Sequence, residues 1–144
     1  RKLLNKSKAI IPTNTELVIS HHYGLDKFNE FGLLSLTVVN RDYCKKLLVT
    51  LPGQTHPEQY HKQKEETFHV LYGEVDLVLN GQSKLCVPGD VVTIQQGTHH
   101  AWSSKKGAVI EEISSTHITE DSYYSDANIM ENKHRKTILT YWSE

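Results

Sequence analysis

The sequence predicts an all-β, single-domain barrel, and three observations predict it. Short runs rich in β-branched residues and leucine recur between residues 33 and 115. Turn residues separate them, at Pro52-Gly53, Gly73, Asn80-Gly81, Pro88-Gly89, Gly97 and Gly107. The runs are roughly four to eight residues long and regularly spaced, which is how barrels and sandwiches read in sequence.

Residues 1–13 show no clear period and read as an arm or early edge strand. Residues 15–20 (TELVIS) are a short strand. Residues 26–31, between Gly24 and Gly32, suit a helical turn or two. Residues 33–39 (LLSLTVV) read as a buried strand. Further strands are expected at 44–51, 59–61, 66–72, 75–79, 83–87, 91–95, 100–103 and 108–115. Asn80-Gly81 between two of them is a strong hairpin signal. Toward the end, Ser125 is placed to cap a short helix running to Asn132. Residues 137–142 (TILTYW) read as a last strand, suited to pairing with the N-terminal arm. The expected organisation is therefore an arm (1–14), a barrel (15–118) and an extension packed on it (119–144).

A chain of 144 residues can bury a real core without staples. Its 38% hydrophobic and 23% charged residues suit a soluble globular protein, and a net charge of −1 argues against a nucleic-acid surface. Cys44 and Cys86 make no disulfide framework and read as small buried apolar residues, so a reducing, cytoplasmic setting is expected. No run approaches the length that spans a bilayer. The chain opens on Arg1 rather than Met, which suits a processed chain, a trimmed one or a domain cut from a longer polypeptide.

Nine histidines are the unusual count, and they cluster near turn glycines. Side chains two apart on a strand share a face, so Gln59 and His61 project together. Glu66 opens the next strand and can face the same interior. His100 arrives from the segment after Gly89, with Trp102 on its face. His69 and His99 are expected to point away, and His56 stands in reserve if its loop folds inward. The blander alternatives are a metal-free barrel and a surface ion pair of Glu66 with Lys62 or Lys64, with Glu65 as the solvated carboxylate.

These segments resemble the two motifs of the cupin superfamily. Gly53, His61, Glu66 and Gly73 match the first motif in register, and Gly89, Gly97 and His100 match the second. The resemblance implies a cupin double-stranded β-helix, or jelly-roll barrel, with short helical turns near the termini. It also implies one divalent metal ion held by Gln59, His61, Glu66 and His100. Gln59 stands where the family has a histidine, Gln95 where it has a proline and Ser104 where it has an asparagine. An amide oxygen is a harder, weaker donor than imidazole, which favours Mn or Fe, with Zn or Ni as alternatives. The runs HHYGLDKFNEFG, VNRDYCKKLLVTLPGQTHPEQYHKQKEETFHVLYGE and EEISSTH look like the cupin domain appended to N-acetylneuraminate (sialic acid) synthases. A weaker likeness around KKLL…GQ…H…E points to D-lyxose-isomerase-type cupins.

Two functions compete. One is a binding module for a small sugar or sugar acid in sialic-acid-type or cell-surface carbohydrate biosynthesis, with a fused or associated synthase as partner. Tyr60, Tyr72 and Trp102 would pack on the sugar, with His117 near the mouth. The other is a metal-dependent sugar isomerase or epimerase, with Glu112 as base (Glu111 if the register shifts) and Lys46 stabilising an enolate-like oxygen. A cupin dioxygenase is a third reading. A homodimer is expected, because barrels of this kind pair through edge strands.

Overall fold

In the computed structural model, which describes residues 1–140 and 142, two antiparallel sheets face each other as a jelly roll. The strands are β1 (Leu17–His21), β2 (Gly32–Asn40), β3 (Tyr43–Thr50), β4 (Thr55–Tyr60), β5 (Glu66–Tyr72), β6 (Val75–Leu79), β7 (Gln82–Cys86), β8 (Val91–Ile94), β9 (His100–Ser103), β10 (Ala108–Ser115), β11 (Tyr123–Tyr124) and β12 (Lys136–Leu139). Short helices α1 (Lys2–Ser7), α2 (Phe28–Phe31) and α3 (Ala127–Glu131) and two 3₁₀ turns, Leu25–Lys27 and Thr119–Asp121, accompany them. The larger sheet runs β12-β1-β2-β3-β10-β5-β8, and the smaller β11-β4-β9-β6-β7.

Alternation sets what lies inside. On β3, Leu48 joins the core between the sheets, together with Phe68, Val70, Leu77, Trp102 and Ile110. Leu47 and Val49 point to the opposite face and pack with Leu4, Leu36 and Val109. That outer face is covered by α1. The arm expected to be irregular or an edge strand is therefore a helix, and its six residues are too few to be stable alone. Burial of Leu4, at about 1.5–3 kcal/mol for a leucine side chain, holds it down. The last strand pairs with β1, Leu17 opposite Leu139, and not with the arm. Of the predicted 137–142 strand, residue 141 lies outside the described residues. Asp126 rather than Ser125 caps α3, its carboxylate accepting from the Asn128 N–H at 2.9 Å. Segment 119–144 supplies an edge strand to each sheet and so is built into the barrel.

The Asn80-Gly81 hairpin forms as predicted, with φ of 47° and 81°, the left-handed pair a type I′ turn requires. Gly73 is fixed by proximity as well as by its φ of 79°, since a Cβ there would lie 2.1 Å from the Gly107 carbonyl oxygen.

Two β-bulges redirect side chains that simple alternation would place otherwise. One lies between His56 and Gln59 on β4 and lets both residues face inward. The other lies where Val109/Ile110 of β10 meets β5, and it turns Tyr72 to the outer face.

Candidate metal centre and active site

At one end of the barrel the apolar core gives way to buried polar side chains. Glu66 begins β5, His100 begins β9, and His61 follows directly on β4. All three are buried, and their ligand atoms lie within 4.8 Å of one another. Glu66 Oε1 is 3.0 Å from His100 Nε2 and 3.5 Å from His61 Nε2. The far nitrogen of each ring is engaged: His61 Nδ1 lies 2.9 Å from the Asp121 carbonyl, and His100 Nδ1 lies 2.9 Å from that of Thr98. A carbonyl only accepts, so each Nδ1 carries the proton and each Nε2 turns a lone pair inward. Neither Nε2 has a hydrogen-bond partner although both are buried. Two lone pairs and a carboxylate oxygen converging in a buried site call for a cation among them, and carbonyl-oriented imidazoles are the usual support of a metal site. Gln59 is buried opposite His100 in the β4–β9 ladder and lines the same chamber, which has a volume of about 50 Å³. The donor set expected from the sequence therefore fits a divalent metal.

The loop between His61 and Glu66 is held from two sides. The Gly97 N–H donates to the His61 carbonyl at 2.7 Å, which links the two motifs. The buried Asp121 carboxylate accepts the backbone N–H groups of Lys62, Gln63 and Lys64 at 2.9–3.1 Å. No spacing in the sequence announces Asp121, which lies far from these partners along the chain.

Lys64 is the other residue that sequence reasoning undervalued. It does pair with Glu66, at 3.0 Å, but in the interior, and its ammonium also lies 3.3 Å from Glu112 Oε2. Its place two residues before Glu66 was the available signal. Burial raises the Glu66 carboxyl, but the Lys64 ammonium beside it outweighs burial and holds Glu66 well below the usual range. Burial and the neighbouring Glu66 push Glu112 up. Removing Lys64 takes away the one ammonium that bridges the two buried carboxylates. Lys64→Met is expected to cost about 3–5 kcal/mol in urea unfolding of metal-free protein. A loss below about 1 kcal/mol would show the lysine to be dispensable.

Glu112 points inward with Ile110 and Ser114, as expected from the unshifted register. Glu111 faces out and pairs with Lys45 at 3.1 Å and His69 at 3.5 Å. Lys64 and Ser114 both hold Glu112 Oε2, and among the described residues no hydrogen bond takes Oε1. Lys46 stands directly opposite Glu112 across the β3–β10 ladder and lines the chamber. Burial lowers its pKa. Trp102 lines the chamber too, its indole N–H donating to Thr50 Oγ1 at 3.1 Å, and His117 lies at its edge with a buried, unpartnered Nδ1.

Two expected sugar-stacking residues lie elsewhere. Tyr60 alternates with Gln59 and His61, so it faces outward and packs on Tyr123 and His99, with ring centroids 5.2 and 4.6 Å away. Tyr72, turned out by the bulge, lies under Lys6 near α1. His56 takes an inner position, stacked on Trp102 at 4.0 Å with its rings 4° from parallel. His22 joins it edge-on at 4.8 Å.

A cupin domain family matches residues 47–111, a stretch that includes Gln59, His61, Glu66 and His100. The D-lyxose/D-mannose isomerase of Thermosediminibacter oceani is 32% identical over 150 aligned positions, covering 84% of this chain and 83% of the relative. The chain belongs to the cupin family of the D-lyxose isomerases. Another member, the D-lyxose ketol-isomerase of Cohnella laeviribosi, is 30% identical with 84% of this chain and 82% of the relative covered. In fold this family member is similar to the L-ribose isomerase of Cellulomonas parahominis, with a TM-score of 0.74 at 13% identity over 91% and 90% of the two chains. The weaker of the two likenesses seen in the sequence is thus the one that holds. The likeness to sialic acid synthase appendages, and with it the tie to that biosynthesis, gives way to kinship with sugar isomerases.

Proposed function

We propose that this protein is a metal-dependent aldose–ketose isomerase acting on a small sugar. The observation that carries the reading is the placement of Glu112, whose Oε1 accepts no hydrogen bond among the described residues, in the chamber that Gln59, His61 and Glu66 also line. Kinship with D-lyxose isomerases supports it.

His61, Glu66, His100 and the amide oxygen of Gln59 would hold the metal, with Mn or Fe suited to that mixed, hard donor set. A divalent cation held there supplies Lewis acidity toward the carbonyl and adjacent hydroxyl oxygens of an open-chain sugar. The chain's own groups do the proton transfer. Glu112 Oε1 takes the proton from C2 and returns it to C1, while the hydroxyl proton moves from O2 to O1. A carboxyl raised by burial is better matched to this task than an ordinary one. Lys46, across the ladder, stabilises the oxyanion of the enediolate. Lys64 keeps Glu112 oriented, and Trp102 and His56 keep water from the floor of the chamber.

Glu112→Gln should therefore lower kcat about 10²–10⁴-fold while metal content stays unchanged, and deuterium uptake at C1 from D₂O should fall in step. Unchanged exchange in this variant would remove Glu112 from the reaction.

A further inference from the structure

Positive charge collects at the mouth of the chamber. The chamber lies beside a larger cavity of about 480 Å³, and the two share Ser122 and Lys136 in their walls. The outer cavity is lined by Lys133, His134, Arg135 and Lys136, with Glu120 as its carboxylate. Both inner carboxylates, Glu66 and Glu112, are already bound by Lys64. Among the described residues, neither Arg135 nor Lys136 has a carboxylate partner in an ion pair, and nor does Lys46.

The geometry of these cations is built rather than casual. Lys136 sits opposite the buried Ser20 in the β1–β12 ladder, so it shares that residue's inward face. Lys136 as a whole is exposed, but desolvation beside the chamber, then the nearby charges of Lys46, Arg135 and Lys64, bring its ammonium down to about 8. Arg135 lies over the Tyr124 ring at 5.3 Å, and one guanidinium N–H donates to the Asn132 carbonyl at 3.0 Å. Its buried Nε has no partner. His117 Nδ1, at the chamber edge, is likewise buried and unpartnered. Like charges held together repel one another, and the arrangement is relieved when an anion enters.

We infer that Arg135 and Lys136 bind an anionic group on the substrate, so that the sugar is a phosphorylated or carboxylated aldose rather than a neutral one. Its reacting carbons lie at His61, Glu66 and His100, and its charged end lies at the mouth. The inference rests on the isomerase reading of the same chamber.

Calorimetry on the metal-loaded protein with D-mannose, D-mannose 6-phosphate and D-mannuronate tests it. One or both anionic sugars should bind at least about tenfold more tightly than mannose, as expected for charge-assisted hydrogen bonds, and the tighter one identifies the group. In Arg135→Gln/Lys136→Gln that preference should collapse, with thermal melting confirming that the variant is folded. Equal binding of all three sugars would overturn the inference, and so would a preference that survives in the variant. Deuterium exchange separates the two readings. Anion preference without exchange into any sugar overturns the isomerase and leaves the anion site. Exchange into mannose without anion preference does the reverse.

Discussion

His61→Ala is expected to retain less than about a tenth of the metal that the unaltered protein keeps after dialysis, and to lose isomerase activity with it. His100→Ala should behave the same way. The reason lies in how few donors the site has. His61 and His100 would supply its two imidazole nitrogens, each fixed by a carbonyl on the far side of the ring. The remaining donors are one carboxylate, already shared with Lys64, and a neutral amide. Loss of an imidazole leaves no side chain able to replace it, because His56 is locked against Trp102 with its Nδ1 at 2.9 Å from the Pro57 carbonyl. Gln59→His should act in the opposite direction and tighten metal binding, since imidazole is the stronger donor. Elemental analysis after dialysis measures both effects, with urea unfolding as the check on folding. Full metal retention by His61→Ala would refute the ligand assignment.

Acidification is expected to destabilise the fold well before the carboxylates titrate. Burial lowers His22 to about 4, His117 to about 3, and His56 well below the ordinary value. His22 and His56 also touch, so charging one makes charging the other harder. An imidazole held below its unfolded value of 6.5 binds fewer protons folded than unfolded. Its contribution is whole above pH 6.5 and drains away as the pH falls toward its folded value. By pH 5 the loss is about 2 kcal/mol for each fully buried ring. His22 and His56 together therefore give about 4 kcal/mol between pH 7.5 and pH 5. Urea unfolding of metal-free protein at the two pH values measures it, and His22→Gln should flatten the slope. A change smaller than about 1 kcal/mol across that interval would mean that these rings titrate normally in the fold.

Much of the site was legible because strand geometry is local. A period of two residues and turn glycines at set intervals define strands and their ends without knowledge of partners. That sufficed for the barrel, for the shared orientation of His61 with Gln59, and for the inward direction of Glu112 over Glu111. The spacing of the two motifs placed Glu66 and His100 beside them, and in the structure the Gly97 N–H on the His61 carbonyl ties those motifs together.

Local alternation fails wherever a strand carries an extra residue that its partner leaves unpaired. The bulge in β4 brings His56 inside, and the one in β5 opposite Val109/Ile110 sends Tyr72 out, and each shows only against the register of the partner strand. Tyr60 is a different case, since alternation with Gln59 already pointed it outward.

By itself, then, the sequence determined the barrel and its turns, which follow from local spacing, and its two motifs singled out His61, Glu66 and His100, the three side chains that the fold brings together. Only the tertiary structure decided that Lys64 sits between Glu66 and Glu112, that Asp121 cradles the loop beside His61, and that α1 is a helix. Those outcomes depend on charges and apolar faces brought together from distant parts of the chain. Their energies exist only once the sheets have closed.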